Sequence, residues 1–228
     1  MKEQVEEKQN LEISDVISNT EAFLQKNSKI IIGVLIAVVV IVLGYFGIKK
    51  FYFEPRAEEA AEEMFMAENY FAAGDFEKAL NGDSESGMLG FVDIISDYGC
   101  TKSANLAHYY AGLCEMRLGN FSDALDHFKS YKGKDSFTKA TAIMLQGDAE
   151  TEQGNNDNAI KLYIKAAKVG DNFIVAPTAL FKAAMLYIAA GNNSDAIQCL
   201  EQIKEKYPES TESMEADKYI AYAENVKW

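Results

Sequence analysis

The distribution of apolar and polar positions divides the chain into three regions. Residues 1–29 are mostly polar and carry only a weak apolar stripe. Residues 30–48 read IIIGVLIAVVVIVLGYFGI and contain no charged residue. Beyond Pro55, apolar residues recur at the spacing of amphipathic helices. The pattern predicts an all-α protein with a polar tail, one apolar helix and a helical domain over residues 54–228.

The apolar stretch has the length and flanks of a transmembrane helix. Its 19 residues would extend roughly 28 Å as a helix, close to the thickness of a bilayer's hydrocarbon core. Lysines stand on both sides of it, and aromatic residues crowd its downstream end, as at a membrane interface. A buried core helix rarely lacks a polar face, and a signal peptide has a shorter apolar region. We therefore expect residues 30–48 to be a signal anchor that is retained.

The tail before the anchor allows two interpretations. Ser18 followed by Glu21 resembles a capping box, and apolar residues on both sides of it predict a short amphipathic helix. Such a helix would lie on the membrane surface or contact a partner. A partly ordered tail is the alternative, since the segment has little to bury and its polar face is not basic.

The domain after the anchor contains an internal repeat. Four segments follow the pattern G-[DN]-[FN]-x-x-A, and their glycines are 45, 35 and 37 residues apart. A glycine suits the left-handed residue that ends a helix, and the Asp or Asn after it suits the next N-terminus. The alanine is small because two helices cross there. The segments are Gly74–Ala79, Gly119–Ala124, Gly154–Ala159 and Gly191–Ala196.

Further positions resemble the tetratricopeptide motif, a helix pair with a period of about 34 residues. Small residues precede each turn glycine by seven positions, and large apolar residues follow three of the alanines by four. These positions are Ala67, Gly112, Gly147, Ala184, Phe128, Tyr163 and Leu200. The last repeat ends at Tyr207-Pro208, where the motif has its helix-terminating proline.

The two ends of the array are expected to depart from the motif. In the first repeat, residues 81–87 interrupt the second helix, which we predict resumes at Met88 and continues to Tyr98. After Pro208, residues 213–226 are predicted to form a helix that caps the array with a polar outer face. Acidic residues and Lys218 supply that face.

Charge and reactive residues argue against several function classes. The net charge is −13, and residues 54–228 carry 16 Lys and Arg against 29 Asp and Glu, which disfavours nucleic-acid binding. Cys114 lies between His108 and His127, but we interpret all three as structural residues of the helices. The three cysteines have no metal-ligand spacing, and no phosphate loop or hydrolase motif occurs. No catalytic residue, cofactor, metal or small-molecule substrate is expected.

The tetratricopeptide resemblance implies a concave groove lined by the first helix of each pair. Carrying the motif over gives an apolar, methionine-bearing surface that suits varied apolar partners. The alternative is that several of these side chains pack inside the array or against residues 54–73. The groove positions are Leu106, Tyr109, Leu113, Met116, Arg117, Thr141, Met144, Asp148, Thr151, Thr178, Phe181, Met185 and Ile188.

The whole arrangement is similar to the YfgM type of bacterial inner-membrane proteins. The acidic tail, the single N-terminal span, the repeat domain, and the stretches AHYYAGLCEMRLGNFSDALDHF and EQIKEKYPES carry the likeness. Membership would imply an interaction role at the Sec translocon and with periplasmic chaperones, or with emerging polypeptides, with no catalytic residues. A structural scaffold that tethers a cell-envelope assembly is the alternative function.

The orientation of the domain follows from the resemblance and not from charge. Lys26 and Lys29 precede the span, whereas Lys49, Lys50 and Arg56 follow it, which slightly favours a cytoplasmic domain. Such a domain would make the protein a targeting receptor. The resemblance implies a periplasmic domain on a single-pass protein of the inner membrane, and long domains translocate with little regard to charge. We expect the periplasmic orientation.

Overall fold

A computed structural model describes residues 26–30 and 32–225 of the 228-residue chain. Within these residues the fold is all-α, and the sole extended pairing is an isolated bridge between Asp83 and Met88. The chain divides into two compact units, Met1–Pro55 and Arg56–Trp228. The predicted helix in the tail falls on residues outside the described part.

The first unit contains the apolar helix, α1. Residues 26–30 and 32–48 are helical, and a π-helical turn, Lys49–Phe53, follows directly. The helical run Lys26–Ala73 contains the one segment of the described residues that is long and apolar enough to cross a membrane. The described Ile, Val and Leu side chains of α1 are exposed all round the helix. A helix that is apolar on every side suits a hydrocarbon environment.

The repeat domain is a series of antiparallel helix pairs. Neighbouring helices pack on each other along the chain from α3 to α11, which makes the unit a helical repeat solenoid. The helices are α2 (Glu54–Ala73), α3 (Phe76–Asn81), α4 (Phe91–Asp97), α5 (Lys102–Leu118), α6 (Phe121–Ser130), α7 (Ser136–Glu152), α8 (Asn156–Val169), α9 (Val175–Ala189), α10 (Asn193–Lys206) and α11 (Thr211–Asn225).

The four turn glycines adopt the left-handed conformation that the repeat pattern predicts. Gly74, Gly119, Gly154 and Gly191 have φ values of 82°, 84°, 79° and 75°. Each lies between the two helices of a pair, where a side chain would strain the backbone. The register of the repeats read from the sequence is therefore confirmed at all four turns.

Small residues lie where the helices of a pair cross. The repeat alanines Ala79, Ala124, Ala159 and Ala196 are completely buried. Gly112 and Gly147, on the first helix of their pairs, lie directly against an aromatic ring of the second helix. A Cβ at Gly112 would lie 2.6 Å from the ring of Phe128, and one at Gly147 would lie 2.6 Å from the ring of Tyr163. The predicted close approach of the helices is thus a contact between a glycine and an aromatic face.

The first repeat departs from the motif as expected, but its second helix resumes later than predicted. Helix α3 ends at Asn81 and α4 begins at Phe91, not at Met88. Two backbone hydrogen bonds join Met88 to Asp83, at 2.9 and 3.1 Å, and hold Met88 outside the helix. Gly90 then caps α4, and its N–H donates to the Asp93 carboxylate at 3.1 Å. The prediction missed this pairing because it depends on the loop's return path.

Most of the core lies in two clusters, one in each part of the array, and α6 buries Ala124, Leu125 and Phe128 besides. The first joins α2, α3, α4 and α5 around Phe91 and Ile94, and the second joins α7 to α11 around Leu180 and Leu200. The end helix α11 buries Ala216 and Ala223 against the second cluster. Its outer face carries exposed charged side chains, as expected of a cap, but Met214 and Tyr222 are also exposed on it, at 78 % and 50 %.

Candidate interaction surface

The first helices of the later pairs contact each other and the end helix. Helix α7 contacts α9, and α9 contacts α11, across the intervening second helices. Side chains join these helices directly: Lys182 pairs with Asp148 at 2.6 Å, and the Thr178 hydroxyl donates to the Glu212 carboxylate at 2.6 Å. The ring of Phe181 stands edge-on to Tyr219 at 5.2 Å. We call the layer of α5, α7, α9 and α11 the first-helix layer.

Seven of the eight apolar groove residues are half-buried, and one is not accessible. Ile188 is 7 % exposed and belongs to the core of the second cluster, so it is removed from the predicted groove. Ile188 lies in the last turn of α9, a helix that packs against α10. The half-buried residues are Leu106, Tyr109, Leu113, Met116, Met144, Phe181 and Met185.

Several half-buried residues also support the fold. Met144, Phe181 and Met185 pack against the second core cluster, and Leu106 packs against the first. Tyr109 lies in a set of aromatic rings: its ring centroid is 5.3 Å from that of Tyr131 and 6.3 Å from that of Phe128. These side chains combine an exposed surface with a structural contact, so their truncation would affect both.

The polar groove positions are mostly occupied by internal contacts. The hydroxyls of Thr141 and Thr151 each donate to a carbonyl four residues earlier in their own helix. The Thr178 hydroxyl, which donates to Glu212, lies 2.8 Å from the Ile174 carbonyl. Arg117 is exposed on α5, with its guanidinium 6.0 Å from the ring centre of Phe76. The groove therefore presents mainly apolar side chains to a partner.

Asp148 is the centre of a polar cluster beneath this surface. The Tyr163 hydroxyl donates to the Asp148 carboxylate at 2.7 Å and lies 3.1 Å from the Thr151 hydroxyl. Lys182 reaches the same carboxylate oxygen from α9. Burial raises the pKa of Tyr163, so its hydroxyl stays protonated and remains a donor. The cluster ties α7, α8 and α9 together.

The cysteine and histidines of α5 and α6 do not form a nucleophilic pair. Cys114 is completely buried, and burial raises the pKa of its thiol to about 12. His108 and His127 contact each other instead, with their Nδ1 atoms 3.1 Å apart. Burial lowers the pKa of both imidazoles. Within the described residues, no three His, Cys, Asp or Glu side chains are placed to hold a metal ion.

A cavity of about 610 Å³ lies beside the start of α5, and the sequence analysis did not anticipate it. It is bounded by the loop before α5, the end of α6, the loop 131–135 and the start of α7. Three lysines line it: Lys102, Lys132 and Lys134. The Lys-Gly-Lys-Asp run at 132–135 is a sequence feature that points to this cavity. It was overlooked because the net charge of the domain is negative.

The helix pairs and their left-handed glycine turns make the fold a helical repeat solenoid of the tetratricopeptide type. Residues 178–210, which cover most of α9 and all of α10, match the family model described as tetratricopeptide repeat. The crystal structure of the MamA protein superimposes with a TM-score of 0.58 at 19 % identity, over 73 % of this chain and 81 % of that chain. At this identity the likeness concerns the fold alone. A comparison with curated proteins found no match.

Proposed function

We propose that the protein is a membrane-anchored adaptor whose first-helix layer binds apolar segments of other polypeptides. One observation carries the proposal. The layer presents half-buried aromatic, leucine and methionine side chains on rigid helices, while the polar positions among them are mostly used internally. Flexible thioethers beside fixed aromatic rings suit a surface that accepts partners of varied sequence.

The setting of the adaptor is part of the same proposal. Helix α1 anchors the chain in the bacterial inner membrane, and the repeat domain lies on the periplasmic side. There it binds emerging polypeptides, the Sec translocon or periplasmic chaperones. The support is the apolar, exposed character of α1 and the sequence resemblance to the YfgM type. Neither a nucleic acid nor a small-molecule substrate is part of this function.

A fixed scaffold is the second candidate, and the hydrogen-bonded links between first helices favour it. The Lys182–Asp148 and Thr178–Glu212 contacts stiffen the layer, which suits one partner of constant shape, such as a division or outer-membrane biogenesis complex. The two candidates differ in what the layer accepts. A panel of permanently unfolded polypeptides of unrelated sequence distinguishes them, since only an adaptor for varied segments binds several members.

Phe181 provides the sharpest test of the layer. Phe181→Ala removes a half-buried ring at the contact between α9 and α11, and we expect binding of the unfolded chains to weaken by about 1–3 kcal/mol. Phe173→Ala is the matched control, because Phe173 is 63 % exposed in the loop before α9 and does not belong to the layer. The loss at Phe181 should change little with salt, because the contact is apolar.

Stability must be measured beside affinity in this test. Phe181 also packs on the second core cluster, so its truncation destabilises the fold to some extent. Equal losses of binding in both variants would contradict the assignment of the surface. Loss of folded protein without any separate loss of affinity would mean that Phe181 belongs to the core.

The orientation can be tested with the cysteines as they stand. Cys100 is exposed, whereas Cys114 and Cys199 are buried. A membrane-impermeant maleimide applied to spheroplasts should therefore label Cys100 if the domain is periplasmic, and Cys100→Ser should abolish the labelling. Labelling that occurs only after lysis would reverse the orientation and favour a cytoplasmic targeting receptor.

A further inference from the structure

The cavity beside the start of α5 has a charge opposite to that of the domain around it. Residues 54–228 carry 29 acidic against 16 basic side chains, yet three lysines and a single acid line the cavity. Lys102 comes from the start of α5, and Lys132 and Lys134 come from the loop between α6 and α7. Folding thus brings together, at one cavity, lysines that are about thirty positions apart in the sequence.

None of these three ammonium groups has an ion-pair partner among the described residues. The salt bridges of this part of the chain involve Lys78, Lys129, Lys182 and Lys204. Asp135, the acid in the lining, is already used: its carboxylate accepts from the backbone N–H and the hydroxyl of Thr138, at 2.8 and 2.9 Å. Three unpaired cations around one cavity attract an anionic ligand.

The wall that carries the lysines is held in place. The Asn105 side chain accepts from the Lys132 N–H at 2.9 Å and donates to the Lys132 carbonyl at 3.3 Å. Gly133 is pressed against α7 so closely that a Cβ there would lie 2.7 Å from the Lys139 nitrogen. The loop therefore presents Lys132 and Lys134 from a defined backbone. This arrangement reduces the entropy that a ligand must remove on binding.

The remaining lining indicates which kind of anion fits. Thr101 and Asp135 accept from the backbone N–H groups of Ala104 and Thr138, so one donor in the first turn of each helix is already engaged and less able to hold a phosphate. No arginine fork lines the cavity, and Asp135 would repel a compact dianion. Separate lysines beside Ala104 and Leu106 instead suit spaced carboxylates next to an apolar side chain.

We propose that this cavity binds an acidic peptide segment, with carboxylates on Lys102, Lys132 and Lys134 and an apolar side chain against Ala104 and Leu106. The volume of about 610 Å³ is within the range of ligand sites in proteins. The site shares Leu106 with the apolar first-helix layer but differs from it in binding a partner through lysines. It provides the repeat domain with a contact for a partner protein that depends on charge. The net charge of −13 would not suggest a site for an acidic partner.

The experiment uses the full chain in nanodiscs made of uncharged lipid, with a dye-labelled peptide Gly-Asp-Glu-Leu-Asp-Glu-Leu-Gly as the probe. Fluorescence anisotropy measures its affinity, and a peptide with Asn and Gln in place of the acids is its counterpart. We expect the neutral peptide to bind at least about tenfold more weakly, and added salt to weaken only the acidic one.

Two matched triple variants locate the contact. K102Q/K132Q/K134Q should lose about 1.5–5-fold in affinity per lysine, and at least about threefold in total. K161Q/K165Q/K206Q removes the same charge from exposed lysines outside this cavity and should stay within about twofold of the original chain. Melting curves of both variants exclude loss of folding as the cause.

Several outcomes would overturn the proposal. Equal losses in the two triple variants would reduce the effect to non-specific charge, and equal binding of the neutral peptide would exclude a carboxylate site. Inorganic phosphate or phosphatidylglycerol vesicles that displace the acidic peptide at equal anion concentration would assign the cavity to phosphate groups instead. A failure here leaves the first-helix layer untouched, because that surface is tested at Phe181 and is independent of salt.

Discussion

Gly147→Ala is the substitution for which the structure predicts the clearest effect. Gly147 lies inside α7, where alanine is normally the better helix former by about 1 kcal/mol. The added Cβ would lie 2.6 Å from Cε1 of Tyr163, whereas carbon atoms pack at about 3.5–4.0 Å. The Tyr163 ring must therefore withdraw by about 1 Å into a core where it is 3 % exposed.

The magnitude follows from three contributions. Overpacking of a buried site costs about 1–3 kcal/mol. Movement of the ring also weakens the hydrogen bond that the Tyr163 hydroxyl donates to the Asp148 carboxylate, which contributes about 1–2 kcal/mol. Subtracting the gain in helix propensity leaves a net destabilisation of about 1–4 kcal/mol. For a domain of this size that corresponds to a fall in Tm of roughly 3–15 °C.

Circular dichroism at 222 nm on the full chain in detergent micelles provides the assay, by thermal and urea unfolding. Gly112→Ala is the internal comparison, because its Cβ meets the ring of Phe128, which has no hydroxyl to lose. We expect Gly112→Ala to be the milder change. A Tm for Gly147→Ala equal to or above that of the original chain would refute the packing argument, since helix propensity would then outweigh the contact.

Three further predictions concern the repeat domain. Ala159→Trp should abolish or severely reduce stability in thermal unfolding, because Ala159 is completely buried where α7 and α8 cross, and an unchanged Tm would contradict the repeat register. The fragment 57–228 should fold alone as a helical monomer, and circular dichroism with substantial strand content would contradict this. Burial lowers the pKa values of His108 and His127. At a pH between these lowered values and the ordinary 6.5, the unfolded chain binds more protons than the folded chain. The stability should therefore fall as the pH drops below about 6.5. The Tm difference between pH 7.5 and pH 5.5 should shrink in His108→Gln/His127→Gln, and an unchanged difference would exclude the pair as its source.

The sequence by itself determined the repeat architecture, because its signals are local. A left-handed turn requires glycine, and a close helix crossing requires a small side chain, whatever the rest of the chain does. Gly154 and Ala159 therefore reveal the turn and the crossing of one helix pair directly. The apolar character of residues 30–48 is equally local, since composition and length alone define a candidate span.

The tertiary structure decided what depends on residues far apart in the chain. The later start of α4 at Phe91 follows from the return path of a loop that pairs Met88 with Asp83. Ile188 and Met185 are one turn apart on α9, yet neighbouring helices cover the first and leave the second half-exposed. A periodic pattern assigns residues to a helix face, but burial depends on how closely the next helix packs against that face.

The basic cavity is the clearest example of a feature that only the tertiary structure decided. Lys102 is about thirty positions from Lys132 and Lys134, and Glu115, Asp123 and Asp126 lie between them in the sequence. Antiparallel packing of α5 and α6 brings the start of one helix beside the end of the other, and the loop into α7 completes the wall. The net charge of a sequence ignores where the charges lie. The electrostatic field at a site depends on the distances between the site and the charges, and only the folded chain sets those distances.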